Sequence, residues 1–472
     1  MRTSIVLLLL AGAAVSGSVR VHAQSVVASY PMVPAPPFGL NTRPATVTHF
    51  VNNTHILATD SNNPKGTATK PRRTVPAVLP AGAVVEVRGG PYASGNLIWT
   101  SQGTPDRPVY VFGVGKPLFQ GNGSGDRLVM AGTFMAVDGF TFDGVKQEVV
   151  GASMALRASI VRNTNTTAVV VMGNGAVLQN NEIHNNGDPT LDTERDTHGV
   201  LILPGVRNTW VLGNHIHHNG GDAIQVGSQS TTGALVEYVY IAANSLHEDR
   251  ENGVDIKRAR HVVVSTNTIA GYYVRSSSSG EAIVVHNNPS FVWILNNAIG
   301  YSHQGVVCTG ADVYAVAGNV ITNVRGGPLD PSNVYSTSGI LTYSCTNTFH
   351  INNTIYQSDA GISIGGSIPT EVVNNVVTGL TQSSPPLRFS SSTNRANSKV
   401  LNNYTGSNPG FVDPARWDFR LKSKVSLVNG GVYHGIFDAY AQIYGVSYRN
   451  DIYGAQRVFS GAIDIGAAEY QR

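Results

Sequence analysis

From about residue 128 the chain repeats a short pattern of polar and aliphatic positions. Each unit carries an asparagine, one variable residue and an aliphatic: Asn181/Ile183, Asn214/Ile216, Asn244/Leu246, Asn267/Ile269, Asn297/Ile299, Asn319/Ile321, Asn353/Ile355 and Asn375/Val377. The tightest intervals, Asn297 to Asn319 and Asn353 to Asn375, are 22 residues. That length suits one coil of a solenoid whose neighbours stack to bury a continuous core. The stacked asparagines are expected to form an amide ladder at one turn and to have no catalytic role.

A second strand follows each asparagine: 198–202, 222–226, 252–256, 281–285, 304–308, 338–342 and 360–364. Its alternation places Val200, Ile224, Val254, Ile283, Val306, Ile340 and Ile362 in one interior column. The residues between core positions then point outward. One outward column is Leu201, Gln225, Asp255, Val284, Val307, Leu341, Ser363, and the next contains Lys257, His286, Thr309 and Tyr343. Longer stretches at 187–197, 227–234, 273–280 and 325–337 adjoin this same strand series and are expected to wall its face.

These periods predict an all-β fold, a single-stranded right-handed parallel β-helix over 45–408. Residues 1–23 read as a secretory signal, from Arg2, the apolar stretch Ile5 to Val15 and the small-residue end Val21-His22-Ala23. Residues 24–44 read as a Pro-rich linker, and 409–472 as a segment capping the last coil. The opening, from Asn62-Asn63-Pro64-Lys65-Gly66-Thr67 through Lys70-Pro71 to Gly89-Gly90-Pro91-Tyr92, resembles that of secreted β-helix proteins.

Composition agrees. Charged residues are 13% and glycine is abundant at 51 residues, which favours short strands and tight turns. Removing the signal lowers the formal charge from +3 to about +1. No bulk attraction for nucleic acid or an anionic membrane follows from that balance. The expected location is secreted or periplasmic, as a monomer. Cys308 and Cys345 read equally well as a disulfide or as two buried thiols.

One stretch departs from the scaffold pattern. Glu251-Asn-Gly-Val-Asp-Ile-Lys-Arg-Ala-Arg260 combines acids, arginines and Lys257, the only lysine between Lys146 and Lys399. Register puts His286 beside Lys257 and Asp255 on the same strand face. Asp222, Glu251, Asp255 and Glu281 gather within about two coils, a density of hard oxygens that suits Ca²⁺ or, equally, pairing with Arg250, Arg258 and Arg260. Lys257 reads as a general base, its pKa lowered by Arg258, Arg260 and a cation, or as a surface lysine bridging an acid. Arg258 and Arg260 read as a fork for a sugar carboxylate. His286 reads as an acid or sugar contact. Gln225, Arg275, Tyr343 and His198 are candidate substrate contacts, with His217 and His218 lesser ones.

Asn252-Gly-Val-Asp-Ile-Lys257 is similar to the Asp-Gly-x-x-x-Lys strand of β-helix pectate lyases. Asp255-Ile-Lys257 followed by Asn267-Thr268 resembles the catalytic coil of alginate- and chondroitin-type β-helix lyases. The resemblance implies a lysine base, an assisting arginine and an acid-bound calcium. The arginine of that pattern would fall near Val264, so Arg258, Arg260 or Arg275 would have to replace it. The expected function is β-elimination on a uronate-containing polysaccharide. A hydrolase using Asp222, Asp255 or Glu281, and a non-catalytic glycan-binding solenoid, are the alternatives.

Overall fold

The computed structural model describes residues 30, 32–190, 196–230, 232–326, 337–458 and 461–470. The residues read as a signal, and parts of the 187–197 and 325–337 stretches, lie outside them. Each complete coil has three parallel strands. A front strand such as Val254–Lys257 is followed by a back strand, Ala259–Ser265, and a short side strand, Thr268–Ala270. Every front strand pairs with the next front strand, and the same holds for back and side.

The register matches the sequence reading. Val200, Ile224, Val254, Ile283, Val306, Ile340 and Ile362 are successive partners, and so are Leu201, Gln225, Asp255, Val284, Val307, Leu341 and Ser363. Their inward neighbours join one core running the length of the solenoid.

The asparagine ladder occupies the turn between back and side strands. Asn181 Nδ2 donates to Asn214 Oδ1 at 3.0 Å, and the relay continues through Asn244, Asn267, Asn297, Asn319, Asn353 and Asn375 to Asn403. Each amide also donates to a backbone carbonyl of the preceding turn, as Asn267 Nδ2 does to Ile241 O at 3.0 Å. A buried turn thereby has its backbone groups satisfied.

A second ladder, not anticipated from sequence, follows the side strands. Thr164, Asn186 and Asn219 lead to Asp249, whose Oδ1 accepts from Asn219 Nδ2 at 2.7 Å and whose Oδ2 accepts from Tyr272 Oη at 3.0 Å. Burial raises the Asp249 pKa to about 7 against these hydrogen bonds. The unfolded carboxyl ionises near pH 4. Between about pH 4 and 7 the native state therefore binds more protons than the unfolded one, and stability falls as pH rises. Asp249→Asn keeps the ladder and removes this penalty. We expect it to raise the urea midpoint at pH 7.5 and to flatten the loss between pH 4 and 7. A midpoint unchanged or lowered at pH 7.5 would contradict this.

The outward column of the back face is apolar: Val177, Trp210, Tyr240, Val263, Trp293 and Ala315 are successive partners. Both ends of the chain cover it. Residues 32–44, expected as a linker, instead pack there: Met32, Val33 and Phe38 join the back-face cluster, Trp210 Nε1 donates to Pro34 O at 2.8 Å, and Arg157 Nη1 donates to Gly39 O at 2.9 Å. The helix Ile436–Tyr444 lies on the same cluster through Ile436, Phe437, Tyr440 and Tyr444. The C-terminal segment, expected to close the last coil, runs along the flank. Phe411, Trp417, Phe419 and Leu421 pack on Ala298, Val320 and Val376 of the side strands. Gly300 is required there, since a Cβ would sit 2.3 Å from Trp417 Cη2. Cys308 and Cys345 are both buried free thiols.

Candidate active site

The front strand Val254–Lys257 holds the charged centre. Ile256 is buried in the core between two outward residues, so Asp255 and Lys257 share the front face. Lys257 Nζ lies 2.8 Å from Asp255 Oδ2 and donates to Gln225 Oε1 of the preceding coil at 2.9 Å. The other oxygen, Asp255 Oδ1, is 2.9 Å from His286 Nε2 on the following coil. Four residues that register alone placed side by side are therefore bonded into one chain across three coils. Lys257 and Asp255 are only 7% and 4% exposed, whereas the His286 side chain is 27% exposed.

Burial lowers the Lys257 pKa, but Asp255, with Asp222 and Glu251 behind it, outweighs burial and raises it above the ordinary value. The expectation that arginines would lower it fails for a geometric reason. Arg258 takes a left-handed backbone conformation (φ 45°) and turns the corner. Its Nη2 donates to Gly233 O at 3.0 Å, tying down the 227–234 stretch. Arg260 then falls on the back strand, exposed, with its guanidinium 5.3 Å from the Phe291 ring centre. The two do not form a fork over Lys257.

Behind this chain lies a buried polar floor. His198, Asp222 and Glu251 offer ligand atoms within 4.8 Å of one another. His198 was expected as a surface sugar contact, but its ring is buried: its Nδ1 accepts from the Asp222 backbone N–H at 3.0 Å. That same nitrogen is 3.4 Å from Asp222 Oδ2, a buried oxygen with no hydrogen-bond partner among the described residues. Burial, then Asp255 and Glu251, push the Asp222 pKa well up. A proton on Oδ2 is the simplest way to satisfy the pair. Glu251 accepts from Arg250 Nη1 at 3.2 Å and from Ser277. Glu281 Oε2 accepts from Ser278 Oγ at 3.3 Å, and burial raises its pKa.

The four carboxylates expected to hold Ca²⁺ thus do not meet. Among the described residues, no group whose ligand atoms mutually converge joins Asp222 or Glu251 to Asp255 or Glu281. Ca²⁺ takes six to eight oxygens. The floor offers one imidazole and two carboxylates, one of them paired with arginine, so its donor set does not fit the ion.

The loop walls are ordered by side-chain bonds. Arg250 donates to Ser276 and Ser277, both at 2.9 Å, and Ser278 Oγ donates to Asn252 Oδ1 at 2.8 Å, which pins the 273–280 stretch beside the floor. Arg275 projects exposed from it. Tyr343 stands further along the outward column and is 55% exposed. Its ring lies against Gly365, where a Cβ would approach Cδ2 to 2.6 Å, so the phenol can lie along the strand as a flat apolar platform.

Residues 143–321 match the family model for the right handed beta helix region. No curated protein matches the sequence. A PL6-family polysaccharide lyase from Pseudopedobacter saltans superposes with a TM-score of 0.52 at 14% identity, over 74% of this chain and 93% of that one. The PL6-family alginate lyase AlyGC gives 0.52 at 14% identity, over 82% of this chain and 55% of that one. A GH136 lacto-N-biosidase from Eubacterium ramulus gives 0.42 at 15%, over 76% and 68%. The chain is a right-handed parallel β-helix protein that resembles the β-helix polysaccharide lyases.

Proposed function

We propose that the protein cleaves a uronate-containing polysaccharide by β-elimination, with His286, Asp255 and Lys257 as the reacting group. The observation that carries this is Asp255 holding a partly exposed histidine on one oxygen and an ammonium on the other, on the front face. With Nε2 bonded to the carboxylate, the His286 ring carries its proton there and keeps the Nδ1 lone pair for substrate. His286 Nδ1 takes the proton beside the uronate carboxylate. The electron pair passes into that carboxylate and then forms the new carbon–carbon double bond as the glycosidic oxygen leaves. Lys257, held protonated by its acids, gives the leaving oxygen a proton. Asp255 touches both groups, so the proton gained by His286 can return to Lys257 through it. Arg275 on the loop wall supplies positive charge for the uronate carboxylate, and Tyr343 a stacking surface further along the groove. Two fold neighbours belong to one lyase family, one of them an alginate lyase, and the choice of a uronate polymer takes its support from that likeness.

The hydrolase reading needs two accessible carboxyls. Asp222 is wholly buried and Asp255 has both oxygens engaged. The test is a screen of alginate, pectate and chondroitin, with and without a chelator. The expected result is an ultraviolet-absorbing unsaturated end whose formation the chelator leaves unchanged. Reducing ends without that absorbance would establish hydrolysis instead, and binding without either product a glycan-binding solenoid.

A further inference from the structure

The side strands carry a second constellation, away from the front face. Glu182–His184, His215–His217 and Ser245–His247 are successive side strands, and His184, His217 and His247 are register partners. Their rings stack, with centres 5.0 Å apart between His184 and His217 and 4.9 Å apart between His217 and His247. Glu182 and His215 form the adjoining outward column. His218, in a left-handed conformation (φ 55°), and Glu248 close the group from the turns.

The ligand-bearing atoms converge. Glu182, His215 and His217 offer atoms within 4.8 Å of one another, and so do His218, His247 and Glu248. The two triads are joined: His215 Nε2 is 2.7 Å from His247 Nε2, and His217 Nδ1 is 2.8 Å from His218 Nδ1. His218 Nε2 and His247 Nδ1 lie 3.2 and 3.3 Å from Glu248 Oε2.

A structural reason for five imidazoles here is lacking. The side chains face solvent or are half-buried, no terminal segment among the described residues joins them in a packed cluster, and core packing is met by the intervening Ile183, Ile216 and Leu246. We propose that this cluster binds divalent transition-metal ions of the zinc class at its two triads, Glu182/His215/His217 and His218/His247/Glu248. Imidazole-rich sets with one or two carboxylates select zinc, copper or nickel and disfavour calcium and magnesium. Ligand nitrogens on a tetrahedral zinc stand roughly 3.3 Å apart, given bonds of about 2.0–2.1 Å. His218 Nε2 and His247 Nδ1 already stand at such spacings from Glu248 Oε2, 3.2 and 3.3 Å.

Sequence carried the signal. A histidine follows the ladder asparagine by three positions in three successive repeats: Asn181/His184, Asn214/His217 and Asn244/His247.

The experiment is isothermal titration of the untagged full-length protein with zinc chloride, and with calcium chloride for comparison. We expect saturable zinc binding and no calcium binding at this cluster. The double variant His215→Ala/His247→Ala should lose zinc binding while keeping the parent melting temperature in metal-free buffer. His286→Ala should bind zinc as the parent does. Absence of zinc binding overturns the proposal. So does zinc binding that survives the double variant or that disappears in His286→Ala. If the double variant melts lower, the milder His215→Gln/His247→Gln pair must show the same loss of zinc.

Discussion

His286→Ala is expected to lower kcat on the uronate polymer by about two to four orders of magnitude, the usual contribution of a positioned acid–base group. The fold should tolerate it, since the ring is partly exposed and its partner Asp255 keeps Lys257. Lys257 sets the complementary test. Lys257→Met should also remove turnover, but it costs stability as well, because Asp255 then stays buried with one oxygen stripped of its cation. Leaving one member of a buried ion pair alone typically costs about 3–5 kcal/mol. Lys257→Arg preserves a positive donor and should retain more activity than Lys257→Met. The reverse ordering, with Lys257→Arg as inactive as Lys257→Met and His286→Ala near normal, would make Lys257 the base. Comparing kcat for the three variants, with melting curves to separate folding from chemistry, decides between the two assignments.

The second large effect is expected in the asparagine ladder. Asn267 accepts from both the backbone and side-chain nitrogens of Asn244 at 2.9 Å, and donates to Asn297 Oδ1 and Ile241 O at 2.9 and 3.0 Å. Asn267→Ala strands donors on one side and acceptors on the other, all away from water. Unsatisfied buried groups cost about 1–3 kcal/mol each, so a loss of about 3 kcal/mol or more is expected by urea denaturation. Asn403 ends the ladder and is only half-buried, so water can replace it. Asn403→Ala should cost distinctly less. Equal losses at the two positions would mean the ladder does not act through buried hydrogen bonds.

Much of this was legible in the sequence, and the reason is periodicity. A parallel coil forces equivalent positions to stack, so Lys257 beside His286 and Gln225 beside Asp255 followed from alignment of the repeats alone. What alignment does not carry is the direction of the chain at a corner. Arg258 and Arg260 sit within three residues of Lys257, yet the left-handed turn at Arg258 sends Arg260 to another face. Nor does it reveal depth. Lys257 and Asp255 are outward-pointing by parity but sunk between neighbouring coils, and that burial, with three carboxylates nearby, sets the protonation of the lysine. The terminal segments lack the repeat altogether. Their place had to come from the apolar back-face column, whose Trp210, Tyr240 and Trp293 need a cover that the coils do not provide.

That cover ties the beginning of the chain to its end. Tyr440 on the C-terminal helix donates to the carbonyl of Met32, across 408 residues of sequence. A solenoid otherwise grows by nearest-neighbour steps and can start folding anywhere along its length. Here the clasp is a contact of very high sequence separation, and such contacts close late because the chain between them must be ordered first. The coils can assemble one upon another as the chain emerges, but the part of the back face that lies under the helix Ile436–Tyr444 stays uncovered until that helix arrives. Maturation of this protein should therefore show two kinetic phases: a fast rise of β-structure, and a slower burial of Trp293, which packs on Tyr440 and Tyr444, that a chain truncated before Ile436 never completes.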